Sequence, residues 1–386
     1  MIAKLSTPPR VQPAERLPLG PVIAGCLACL TVVGMAAGVA RLFLGLGATT
    51  GLDDSYSWGI WIGFDFSMIA FSGAAFTLAA AVHVLHIHSL KPVLRPALFT
   101  GLLGYVAVLV LLLLDLGRPD RFYSFLINWN LHSPLFEISW CVLLYSTVLV
   151  LEVSPDAFTW LGWERPKRWV GWIMAPVTII GVTLSTLHQS TLGTLYLNMP
   201  HRLHPFWYSP LLPVLFFTSA VMAGFASATI AYRLAVRMHG AQEEPSVLNA
   251  LGKGMLGAGA LYLALRLGAL AWSGQLALFV TDGKAVALIA LELGVCLLLP
   301  LALLAVPRLR TSPAAMWWLP GMLLLGVMMN RFTSTIYAQT PPLGVGVYTP
   351  HIFEWLSTIG ILAGAALAWY LAVRFLVSFK PGQAAH

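Results

Sequence analysis

Residues 58–88 read WGIWIGFDFSMIAFSGAAFTLAAAVHVLHIH, with aromatic residues at the start, three histidines at the end and a carboxylate, Asp65, about two turns inside. A hydrocarbon core of about 30 Å is crossed by about 20 apolar residues in a helix. This stretch is long enough to span, and to tilt or protrude. An ionisable side chain inside such a segment costs roughly 2.5 to 3.5 kcal/mol on insertion scales, so Asp65 needs a reason to be there.

The surrounding chain has the same character. Its 386 residues are 58% hydrophobic and only 10% charged, against about 25% charged in an ordinary soluble domain. The mean hydropathy is +0.81. These values describe an all-α integral membrane protein, since barrel strands would be about ten residues long and alternating. Apolar segments fall at about 20–46, 58–88, 95–117, 133–153, 169–190, 209–233, 248–272, 283–306, 315–337 and 352–378. That predicts ten transmembrane helices in one domain, 20–378, with tails at 1–19 and 379–386. Three prolines in the first 13 residues and the lack of an apolar core argue against a cleaved signal peptide.

Lysine and arginine set the orientation. With the N-terminus inside, inner positions hold fifteen of them, from Lys4, Arg10 and Arg16 to Arg374 and Lys380; the outer loops hold Arg118, Arg121, Arg202 and Lys284. This bias places both termini in the cytoplasm. It also absorbs the net charge of +7, so the charge does not point to nucleic acid. The expected location is a bacterial cytoplasmic membrane, crossed many times.

Seven further ionisable residues stand out in these segments: Asp115, Glu137, His188, Arg266, Glu292, Arg331 and Glu354. Except for Glu292, nearer mid-membrane, all fall with Asp65 in the outer half. That segregation suggests one or two polar, proton-competent pockets opening to the outer face; the alternative is that several merely snorkel or pair at the interface. Arg266, Glu292, Arg331 and Glu354 form a neutral set that suits paired structural charges or, alternatively, a proton path. The outer loops NMPHRLHPFWYS (198–209) and QTPPLGVGVYTPH (339–351) are rich in proline and aromatics and fit a docking surface.

Haem b ligation needs histidines that face one another at one depth. His83, His86 and His88 are inner, whereas His132 and His188 are outer, and no CxxCH occurs. Neither haem nor an iron–sulfur cluster is therefore expected in this chain. The four cysteines read as buried small hydrophobes, and no metal site is expected. His86 and His88 read as facing water or a helix C-terminus.

The pieces WGIWIGFDF, VLRPALFTGLLGY, LLDLGRPDRFY, SPLFEISWCVLLY, TLHQSTLGTLY and HPFWYSPLLPVLF follow one another in a way that resembles the NrfD-like polysulfide reductase membrane subunits, nearest their ten-span, hydrogenase-associated HybB-like branch. The resemblance covers about residues 20 to 378. It implies a haem-free, quinone-reactive anchor for menaquinone or ubiquinone, partnered on the extracytoplasmic side by a ferredoxin-like iron–sulfur protein and further catalytic or cytochrome subunits. The expected arrangement is two four-helix bundles plus two additional helices.

A quinone headgroup needs donors at two carbonyl oxygens and groups that supply or remove two protons, in an apolar slot open to lipid. Asp65, Asp115, Glu137 and His188 are the expected polar end, with His188 as donor and Asp115 or Asp65 as proton partner. Trp58, Trp61 and Phe64 are the expected wall, and Gly73 is expected to allow close helix packing. A proton-coupled transporter and a purely structural anchor are the other function classes the pattern allows.

Overall fold

The computed structural model describes residues 20–199, 202–280, 282–339 and 348–377. Both tails, and most of the loop 339–351, lie outside these residues. Among the described residues ten long helices follow in order: α1 (Gly20–Leu44), α2 (Ile60–Val84), α3 (His88–Asp115), α4 (Pro134–Leu161), α5 (Glu164–Leu197), α6 (Leu212–Met238), α7 (Pro245–Trp272), α8 (Gly283–Ala305), α9 (Ala315–Phe332) and α10 (Ile352–Leu376). Among the described residues nine are long and apolar enough to cross a membrane. The other, α9, carries Asn330 and Arg331 in its last turn and continues into a π-helical turn, Thr333–Tyr337. Several helices outrun the apolar segments; α5 extends from Glu164 to Leu197, beyond 169–190. Backbone hydrogen bonding continues into the polar interface, where apolar composition stops.

The lipid-facing surface explains the composition. Phe43, Val32, Ile179 and Leu187 are exposed, as suits a hydrocarbon solvent and not water. Exposed tryptophans mark both rims: Trp160, Trp163, Trp169, Trp172 and Trp318 at the end where the chain starts, Trp129, Trp272 and Trp355 at the opposite end, like the aromatic belts of bilayer interfaces. We call the first, which carries Lys91, Arg165, Lys167, Arg168 and Arg308, the basic end.

At the centre stand α2 and α6, with 72% of their most apolar 18-residue stretch buried, whereas in α1 and α5 at the periphery the share is 17%. Helices α2 to α5 meet α6 to α9 where α9 lies against α2 and where α6 crosses α5, α3 and α2. At that crossing a Cβ on Gly73 would lie 2.9 Å from the Ala220 carbonyl oxygen, so the glycine sets the helix separation. Helices α1 and α10 pack on each other and, through α10, on α3. Gly34 and Gly360 put their backbones in direct contact, and a side chain on either would strike the other helix.

Candidate functional site

The buried polar residues resolve into four groups. The first lies at the end opposite the basic one, among α1, α2, α3 and α10. Asp65 is buried on α2, and Asp115, the last residue of α3, is half-buried within its electrostatic reach. Arg41 and Glu354 act on Asp115 in turn. Arg41 ends α1 and donates from Nη2 to the Leu116 carbonyl at 2.7 Å, closing the C-terminus of α3 with a cation. Glu354 begins α10 and is saturated: it accepts from Tyr348 Oη at 2.6 Å, from the Gly51 amide at 2.9 Å and from the His351 amide at 2.8 Å. By contrast, Oδ1 of Asp65 and Oδ1 of Asp115 find no protein partner.

A second group continues inward from Asp65. Tyr105 on α3 feels the Asp65 charge. Its ring lies 5.7 Å from that of His188 on α5 and 5.0 Å from that of Tyr145 on α4. Ser185, one helical turn from His188, adjoins both tyrosine hydroxyls. Both nitrogens of His188 and the hydroxyls of Tyr105, Tyr145 and Ser185 are buried without an ordinary protein hydrogen bond. Buried polar atoms are overwhelmingly paired in folded proteins, so this concentration makes the group the candidate site.

The third group nears the basic end. Glu152, two turns beyond Tyr145 on α4 and in electrostatic contact with it, accepts from Thr178 Oγ1 at 2.9 Å. Arg95 donates to the Glu152 carbonyl at 3.1 Å and pairs with Asp156 at 3.0 Å. Asp115, Asp65, Tyr105 with His188, Ser185, Tyr145, Glu152 and Asp156 thus form a broken polar file along α2 to α5.

The fourth group lies in the other half. Glu292, in a π-helical stretch of α8, accepts from Trp207 Nε1 at 3.1 Å and from Asn330 Nδ2 at 2.9 Å. Arg331 donates to Asn330 Oδ1 at 2.7 Å and to Ser219 Oγ at 2.8 Å, with its guanidinium 3.5 Å from the Phe216 ring centroid. Arg266 donates to the Phe206 carbonyl at 2.7 Å. No ion pair joins Glu292 to either arginine among the described residues; Asn330 bridges between Glu292 and Arg331. The two cavities here are about 10 Å³ each, room for about one water apiece.

Several sequence expectations are rearranged. Asp65 and Asp115 come together, and His188 adjoins them through Tyr105. Glu137 does not join: it is exposed on the first turn of α4 and accepts from Thr191 at 2.8 Å, because its helix face points away from α2 and α3. Glu354 leaves the Arg266, Glu292 and Arg331 set for the Asp115 group, since α10 packs on α1 and α3. Trp61 and Phe64 pack in one cluster, but Trp58 belongs to another. Trp61 donates to Ser357 at 3.1 Å, Phe64 meets Phe332 and Trp355, and Trp58 packs on Phe66 and Tyr196. Trp58 precedes the first turn of α2 and turns to α5, whereas Trp61 and Phe64, three residues apart on α2, lie in one apolar cluster. Cys26 and Cys29 are exposed on α1, while Cys141 and Cys296 are buried. His83, His86 and His88 are exposed at the basic end.

Sequence reading missed Arg41, Tyr105, Tyr145, Glu152, Ser185, Asn330 and Tyr348. Arg41 and Glu152 carried a signal, a charge at the edge of an apolar run. The hydroxyls carried none, because tyrosine and serine are ordinary in membrane helices.

The family described as "Polysulphide reductase, NrfD" matches residues 48–342. A protein of Nitratidesulfovibrio vulgaris is 40% identical over 236 residues, 60% of this chain and 60% of that protein. The probable Ni/Fe-hydrogenase 2 b-type cytochrome subunit of Escherichia coli K12 is 30% identical over 369 residues, 94% of this chain and 91% of the relative. The integral membrane subunit of menaquinone reductase from N. vulgaris is 29% identical over 377 residues, 90% and 88% of the two chains.

Proposed function

We propose that this chain, which belongs to the polysulphide reductase NrfD family, is the quinone-reactive membrane subunit of a multi-subunit respiratory oxidoreductase. The observation that carries the reading is the pair of carboxylates, Asp65 and Asp115, each with an oxygen that no described protein group satisfies, beside Tyr105 and the equally unsatisfied His188. A quinone headgroup supplies what this site lacks: two carbonyl oxygens for His188 and Tyr105 to donate to, and two oxygens that exchange protons with the carboxylates on reduction or oxidation. The name of the menaquinone reductase relative supports the same ligand.

In this reading the basic end faces the cytoplasm, the chain crosses the bacterial cytoplasmic membrane ten times, and electrons reach the site from a ferredoxin-like iron–sulfur subunit on the opposite side. Protons travel along the file through Tyr105, Ser185, Tyr145 and Glu152, bridged by water where side chains do not touch. Arg331, Asn330 and Glu292 hold the other half-bundle together. The E. coli relative's name mentions a b-type cytochrome; in this chain the ring beside His188 is that of Tyr105, which suits a hydrogen-bonded quinone.

The test is quinone reduction by the purified complex. Asp65→Asn and Asp115→Asn are each expected to lower the rate on the order of 10²-fold, with quinone in the lipid extract and no haem spectrum assignable to this chain. Wild-type rates in both variants would defeat the proposal, leaving a structural anchor. A chain that copurifies with neither quinone nor redox partner would instead point to a transporter.

A further inference from the structure

A cavity of about 980 Å³ lies between the α1–α10 pair and the face of α6 and α9, floored by α2 and α3. It is large for a ligand pocket, which commonly spans about 300–1,000 Å³. Its deep end is apolar, formed by Met68, Phe71, Leu324 and Leu362. Small residues keep it open: Gly104 on the floor, Ala231 on one wall, Ala365 and Ala366 on the other. Its mouth, at the basic end, has Tyr370, Arg374 and His239.

Three observations identify the occupant. The first is length: Leu362 and Arg374 are twelve residues apart on α10, about 18 Å at 1.5 Å per residue, close to half of a hydrocarbon core about 30 Å thick. The cavity runs the depth of one leaflet and stops. The second is that polar groups in its wall are engaged elsewhere. Ser227 donates to the Phe71 carbonyl at 2.7 Å, Thr100 to the Pro96 carbonyl at 2.8 Å, and Trp369 Nε1 to Thr100 at 3.0 Å. A quinone headgroup would find these donors already committed to protein acceptors. The third is charge. Arg374 is exposed and oriented by a 2.8 Å hydrogen bond to Tyr370; His239, its Nδ1 2.8 Å from the Ala235 carbonyl oxygen, lies across the mouth; and no carboxylate is among the described residues that line the cavity.

We propose that this cavity binds an anionic phospholipid from the leaflet at the basic end, with an acyl chain along the groove and the phosphate against Arg374 and His239. The lipid would fill the gap between α10 and α6, a different place from the Asp65–Asp115 site, and the proposal does not depend on the quinone reading.

The intact complex, reconstituted in nanodiscs of equal phosphatidylglycerol and phosphatidylethanolamine and released into native mass spectrometry, provides the test. The wild type is expected to retain a phosphatidylglycerol with about fivefold preference, the worth of one cation at a membrane surface. Arg374→Gln should erase the preference, and Ala366→Phe, which fills the groove, should erase retention. Equal retention of both lipids by the wild type, retention of none, or an unchanged preference in Arg374→Gln would overturn the proposal. So would a retained quinone that Ala366→Phe displaces, or crosslinks from Ala366→Cys to the chain's own terminal segments. Arg374 is exposed, so its variant reports on the lipid even if the bulkier substitution disturbs packing.

Discussion

Asn330 shows why a buried charge is not read one residue at a time. Its amide oxygen takes a proton donor from Arg331, and its amide nitrogen gives one to Glu292. Neither charge faces the other directly, yet each is compensated. Arg331→Ala would strand Asn330 and Ser219 and uncover the Phe216 ring. The expected loss is about 3 kcal/mol, measured as a lowered detergent melting midpoint. Arg331→Lys should recover only part of it, because one ammonium cannot reproduce a planar guanidinium's fork over an aromatic face. Charged positions were visible in the sequence as exceptions in apolar runs. Their partners were not, since nothing in the spacing of Trp207, Glu292 and Asn330 announces that they meet.

At the scale of elements, two contacts decide how helices begin and where they lie. Asp282 caps α8, its Oδ1 accepting from the Ala285 amide at 3.1 Å and its Oδ2 lying 3.3 Å from His204 Nε2. The Ala285 amide first, and then His204, hold its carboxyl below the usual aspartate range. A carboxylate with a depressed value stabilises the fold above its ordinary range, and that contribution is lost as pH falls through the depressed value. Acidification or Asp282→Ala is therefore expected to speed amide exchange at 285–289, with little change in α2; equal protection in both would refute this. The Gly34–Gly360 contact makes the second prediction. Gly34→Leu should part α1 from α10 and abolish a disulfide crosslink engineered between neighbouring positions, such as Thr31→Cys with Gly364→Cys, which face each other in the intact pair.

For the whole molecule, the prediction concerns orientation. Cysteines introduced at Asp120 and Ser312 lie at opposite ends of the bundle. In intact cells, after Cys26, Cys29, Cys141 and Cys296 are replaced, a membrane-impermeant maleimide should label position 120 from outside and position 312 only after lysis. Labelling in the reverse sense would invert the bundle and put the Asp65–Asp115 site on the cytoplasmic side. The fold itself follows from the way α2 and α6, the most buried helices, are wrapped by the others; their many small residues, including Gly73, Ala220 and Gly224, let neighbours approach on every side.

Apolar run length, rare charges and the bias of lysine and arginine were determined by sequence alone, because a bilayer imposes a fixed thickness and a steep cost on every charge. They were enough to call a helical membrane protein and to single out Asp65, Asp115 and His188. Which of those residues meet was decided only by tertiary structure. Tertiary packing turned Glu137 outward, separated Trp58 from Trp61 and Phe64, and moved Glu354 to another group. It also brought Tyr105, Ser185 and Tyr145 into line with His188. Facing depends on a few tens of degrees of rotation about each helix axis, set by packing between helices far apart in the chain, and a one-dimensional pattern does not specify it.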